Sequence, residues 1–93
     1  MQLNIFADSI WDKLNITIKT KKNYLGAFDR YLRNQIGSSQ IEKLSKSQLI
    51  DALSTLSPQT RYQTLMVLRV IFREAEEREL IADNPAARIK TPR

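Results

Sequence analysis

The sequence predicts an all-α fold, a compact four- to five-helix bundle, and three observations carry that expectation. Apolar residues recur at helical spacing in four separate stretches. Capping residues and prolines punctuate the gaps between those stretches. No alternating run of strand length and no internal repeat with a period of about 20 to 50 residues interrupts them. The chain has 93 residues, 42% of them hydrophobic, which is enough to fill one modest core without a metal or disulfide.

The first helix is expected over residues 4–14, with Ile5, Phe6, Ile10 and Leu14 on its buried side and Trp11 anchoring it alongside. Thr17 offers an N-cap for a second helix over residues 18–36. Its stripe is Tyr24, Leu25, Phe28, Tyr31, Leu32 and Ile36, and Gly37 with Ser38 end it. Tyr24, Phe28 and Tyr31 at this spacing read as core residues, not as stacking platforms. Ser45 with Gln48 forms a capping-box pattern for a short third helix that buries Leu49, Ile50 and Leu53 and stops near Thr55. Ser57 followed by Pro58 starts the fourth helix, because proline at the first helical position loses no useful donor. Its segment LMVLRVIF is apolar nearly all round and therefore belongs in the middle of the bundle. Asn84-Pro85 repeats the cap-then-proline pattern. The helical domain is therefore placed at residues 1–84 and the start of a basic linker at residues 85–93.

Two residue types are missing altogether. The absence of cysteine removes disulfides, thiol nucleophiles and zinc knuckles, and suits a reducing cytoplasm. The absence of histidine removes the commonest general base and metal ligand. Glu74, Glu76, Glu77 and Glu79 resemble a solvated face more than an acid-base pair. The expectation is thus a non-enzymatic, cytoplasmic chain with no cofactor. No apolar run approaches the roughly 18 residues of a membrane span.

The net charge of +5 is unevenly distributed. Residues 17–36 hold Lys19, Lys21, Lys22, Arg30 and Arg33 against Asp29 alone, and the C-terminal segment adds Arg88, Lys90 and Arg93 against Asp83. Three lysines in the first turn of the second helix oppose its macrodipole, where stability alone would favour acids. An anion resolves that conflict, since unpaired backbone N–H groups and ammoniums together bind phosphate. Ser57-Pro58-Gln59-Thr60-Arg61 echoes Thr17-Ile18-Lys19-Thr20-Lys21: a cap, a threonine three residues on, then a base. Lys19, Lys22, Asn23, Gly26 and Arg30 share the face of the second helix opposite its tyrosine stripe. Gly26 there costs about 1 kcal/mol against alanine. It serves either close approach of a nucleic-acid strand or a helix crossing that needs a small residue. Candidate DNA contacts are Lys19, Lys22 and Arg61 to phosphates, with Thr20, Asn23, Thr60 and Gln63 to base edges or backbone.

These residues are similar to the SAM-like N-terminal core-binding domain of tyrosine recombinases, the phage integrase group. The likeness covers about residues 4–93 and rests on Thr20 with Tyr24, on Ile41, Leu44 and Ser45, and on Thr60 with Leu65, Leu68, Phe72 and Ala75. Its most specific stretch is Phe72-Arg73-Glu74-Ala75 followed by Leu80-Ile81-Ala82-Asp83-Asn84-Pro85, then Ala86. The resemblance implies a helical bundle on one face of duplex DNA, with a separate C-terminal catalytic domain closing from the other. It gives contact roles to Lys19, Thr20, Asn23, Thr60 and Arg61 by position. The family's catalytic residues belong to that second domain, for which this chain has no room, so Tyr24, Tyr31 and Tyr62 are not its nucleophile. Many relatives have glycine where this sequence has Glu79, so the C-cap must differ or the helix must run on.

The expected partners are recombination-site duplex DNA and the catalytic domain of a parent protein, with the isolated chain monomeric and off the membrane. The alternative is a small helical protein-interaction or accessory regulatory module, whose sign would be an exposed apolar groove in place of a bare basic face. An amphipathic membrane-surface role fits short, capped, core-filling helices poorly.

Overall fold

A computed structural model describes residues 1–89. The chain is all-α: α1 (Leu3–Ile10), α2 (Ile18–Ala27), α3 (Arg33–Ile36), α4 (Lys46–Leu53) and α5 (Pro58–Glu77). A π-helical turn, Phe28–Leu32, joins α2 to α3, and short 3₁₀ turns occupy Trp11–Lys13, Ile41–Lys43 and Pro85–Arg88. No strand occurs among the described residues; Gln2 and Gln40 form an isolated bridge.

The expected caps are in place. Thr17 Oγ1 accepts from the Thr20 N–H, Ser45 and Gln48 make a reciprocal capping box, and Ser57 caps α5 with Pro58 at its first position. Asn84 Oδ1 accepts from the N–H groups of Ala86 and Ala87. These local bonds satisfy orphan donors at each helix start, which is why they were visible before any tertiary contact.

Helix α5 is the axis of the bundle, with α1, α2 and α4 packed against it. Leu65, Val67, Leu68, Ile71, Phe72 and Ala75 bury its inward side. The apolar stripes of α1 and α4 bury Phe6, Ile10, Leu49 and Leu53 as expected, but one isoleucine in each faces outward. Ile5 is 57% exposed and Ile50 42% exposed, while Leu3, Ala7 and Ala52 are buried instead. In both helices the core-facing side includes an alanine, Ala7 in α1 and Ala52 in α4.

The segment expected as helix 18–36 is continuous, but it widens in the middle. The Arg33 N–H reaches back five residues to the Phe28 carbonyl. Through that wide turn Phe28, Leu32 and Ile36, each four residues apart, all point inward. Trp11 meets Phe28 edge-on with ring centroids 6.0 Å apart, and the Arg33 guanidinium lies 5.0 Å from the same ring's centre. Arg33 also donates to both oxygens of Asp8, at 2.9 and 3.2 Å, and to Asp29 at 2.7 Å. This hub ties the wide turn to α1 and so sets the orientation of α2. At the far end of α3, Gly37 has no room for a side chain, because a Cβ would run into Asn4 Oδ1 and the Arg33 carbonyl.

Helix α5 ends in a complete Schellman motif. The Leu80 N–H bonds the Ala75 carbonyl, the Glu79 N–H bonds the Glu76 carbonyl, and Glu79 takes a left-handed φ of 62°. Glutamate thus holds the position for which glycine is the usual residue, and neither a different cap nor a longer helix is needed.

The linker reading of residues 85–93 needs correction for its first part. Ala86 is fully buried and Ile89 nearly so, and Arg69 donates to the carbonyls of Ala86 and Ile89 at 3.4 and 2.6 Å. Residues 85–89 therefore pack on the bundle, held by α5. The remaining linker positions, among them Lys90 and Arg93, lie outside the described residues.

Candidate functional site

Between α2 and α5 runs a groove of about 550 Å³. Lys22, Asn23, Tyr24, Gly26, Ala27, Arg30 and Tyr31 form one wall, and Tyr62, Gln63, Met66 and Val67 the other. Helical geometry explains the first wall: residues 22, 26 and 30 stack one turn apart along α2 and into the π-helical turn. Positions 62, 63, 66 and 67 do the same on α5.

The wall charges are of one sign. Lys22 and Arg30 line the groove, no acidic residue does, and neither cation makes an ion pair with any described residue. The nearest acids in sequence are occupied elsewhere: Asp12 pairs with Lys21, and Asp29 with Arg33. Arg33 is held more firmly protonated than an ordinary arginine, first by its bond to Asp8 and then by Asp29. The Asp8 carboxyl in turn is held below its usual range, chiefly by the hydrogen bond from Arg33.

Gly26 resolves one of its two readings. A Cβ built there would meet no heavy atom within 4 Å, so no helix crossing requires the small residue. The bare backbone faces the groove.

The expected contact residues divide into three groups. Lys22, Asn23 and Gln63 come together in the groove walls. Lys19, Thr20 and Thr60 stand outside those walls, at the first turns of the two helices that form them. The Thr20 and Thr60 hydroxyls are equivalent, each bonded to the cap hydroxyl three residues earlier, at 2.9 Å from Thr17 and 3.1 Å from Ser57. Arg61 makes a third case. Its Nε donates to the Leu53 carbonyl at 3.2 Å and its Nη2 to the Leu56 carbonyl at 2.9 Å. The guanidinium thereby caps the C-terminal end of α4, and its first employment is structural. Lys21, the corresponding base of α2, is likewise engaged, by Asp12.

Comparison with protein-family models, curated proteins and solved structures finds no match to this chain.

The aromatic stripe of the second helix divides between core and groove. Phe28 is core and Tyr24 packs against that core, but Tyr24 and Tyr31 are only half-buried, and both line the groove beside Lys22 and Arg30. They do not lie on an opposite face. Helix α5 packs against the flank of α2, so the basic face and part of the aromatic stripe border one depression, and the wide turn after Ala27 alters the helical phase for Tyr31 alone of the two. Tyr62, 41% exposed, faces them from α5 and carried no sequence signal beyond its distance of one position from Gln63. Arg30 was legible from its four-residue spacing after Gly26. Among the described residues, no group of three or more His, Cys, Asp or Glu is placed to hold a metal ion.

Proposed function

We propose that this chain is a DNA-binding module without catalytic apparatus of its own, working as the core-binding half of a tyrosine recombinase that grips recombination-site duplex DNA. The observation that carries the DNA reading is the groove itself: two cations, two amides and a bare glycine backbone, with no acid among the lining residues. Lys19 and the capped starts of α2 and α5 extend that surface. The assignment to the recombinase family rests on the sequence likeness described above, and the catalytic domain would be its partner on the opposite face of the DNA.

The principal extents are 30 × 29 × 23 Å, so one face of the molecule spans about one duplex turn of roughly 34 Å and meets only the phosphates along that face. With about three to five neutralised, log K falls against log salt with a slope near −3 to −4.5. Binding of a labelled duplex, measured by anisotropy across a salt series, tests this. Lys19→Glu and Lys22→Glu are expected to weaken binding and flatten the slope while leaving the helical spectrum unchanged. Salt-independent affinity, or full affinity in both variants, would sink the reading.

The apolar share of the groove, Met66, Val67 and three tyrosines, also favours a second reading, an accessory module that docks a protein segment. In that case the chain binds no duplex at low salt, and the charge reversals are silent.

A further inference from the structure

We infer that the groove between α2 and α5 receives an unpaired nucleotide, with its base against the tyrosines and its phosphates on Lys22 and Arg30. The inference rests on the DNA reading above and adds which part of the nucleic acid enters. A duplex presents a convex sugar-phosphate ridge and keeps its base faces stacked inside. Phosphate contact alone would employ the cations and leave the rest of the lining without a role. Yet Tyr24, Tyr31 and Tyr62 reach this groove from both walls, with Met66 and Val67 among them. Aromatic rings beside a positively charged track are the arrangement that holds single strands, because every base has a face to stack and each phosphate a charge to meet.

The polar lining points the same way. Asn23 and Gln63 stand on opposite walls, and each offers both donors and an acceptor. Such amides match Watson–Crick edges, which are exposed only when a base is out of its pair. At about 550 Å³ the groove lies within the roughly 300 to 1,000 Å³ of sites that enclose a compact ligand. With no heavy atom within 4 Å of a Cβ at Gly26, a strand can lie directly on the α2 backbone.

The test uses the whole chain and three labelled oligonucleotides of one sequence: a perfect duplex, the same duplex with a single bulged nucleotide, and the single strand. A 2-aminopurine at the bulge reports stacking. The bulged and single-stranded forms are expected to bind at least about fivefold tighter than the duplex, the lower end of what one base–aromatic stack contributes. The 2-aminopurine emission is expected to be quenched on binding. Tyr62→Leu, at an exposed position, abolishes the preference, and Tyr62→Phe keeps it. Equal affinity for the three forms with unchanged 2-aminopurine emission overturns the inference and leaves the duplex reading standing, as does a preference that survives Tyr62→Leu. Binding to none of the three overturns both.

Discussion

Replacing Gly26 with alanine separates what the fold wants from what a ligand wants. The position lies within α2, its backbone angle is ordinary for a helix, and an added Cβ meets no heavy atom within 4 Å. No clash subtracts from the gain, and no neighbour is close enough for the methyl to add packing. Intrinsic propensity therefore sets the size of the effect, about 0.8 to 1 kcal/mol in favour of the variant. For a domain of this length that raises the melting temperature by about 4 to 8 °C. Circular dichroism melts at matched concentration measure it. DNA affinity, taken on the same samples at one low salt concentration, is expected to fall, because the methyl group occupies the bare strip of backbone along the groove. Stability and binding then move in opposite directions. A melting temperature that stays level or drops shows that the space at Gly26 is not empty. A stabilised variant with unaltered affinity shows that nucleic acid does not approach the backbone there, and removes the functional account of this glycine.

Three further outcomes follow from particular contacts. Glu79→Gly is expected to stabilise the chain by about 1 kcal/mol, since the left-handed φ of 62° is strained for glutamate and natural for glycine, and a denaturant melt with unchanged m-value checks it. Arg61→Ala leaves the Leu53 and Leu56 carbonyls without their charged donor at the end of α4, so a loss of about 1 to 2 kcal/mol is expected in the same assay. A stable Arg61→Ala variant with much weaker DNA binding would return this residue to the phosphate contacts. Asp8 is held below its ordinary value near 3.8, so its bond to Arg33 contributes fully above that pH and is lost as pH falls through the lowered value. Stability should therefore be level near neutrality and decline in acid below about pH 4, and Asp8→Asn should remove part of the decline. An unchanged acid limb in the variant would show that other carboxylates carry it.

The local grammar of this chain was sufficient for its helical class, its cap residues and the start of each main helix. Thr17, Ser45, Ser57 and Asn84 make their bonds within three residues of themselves, so nothing distant is needed to foresee them. The candidate site was legible to the same extent. Lys22 is legible from its charge, and Asn23 and Gln63 from neutral amides suited to base edges, and the fold brings the three to one groove. What spacing could not supply was phase and pairing across the bundle. Ile5 and Ile50 fit an apolar stripe yet face outward, because Leu3, Phe6, Ala7 and Ile10 in α1 and Leu49, Ala52 and Leu53 in α4 already fill the buried side. Tyr24 and Tyr31 fit the apolar stripe of the second helix, yet both border the groove: Tyr24 keeps one side on the core, and Tyr31 lies in the wide turn at Phe28–Leu32. Arg61 looked like a phosphate ligand from its place three residues after Pro58, but the end of α4 lies within reach and takes its donors. The residues set which helices form, through bonds that close within a turn. Which side of each helix is left open for a ligand was decided only when α2, α4 and the C-terminal segment competed for the surface of α5, because burial is settled between elements distant in sequence.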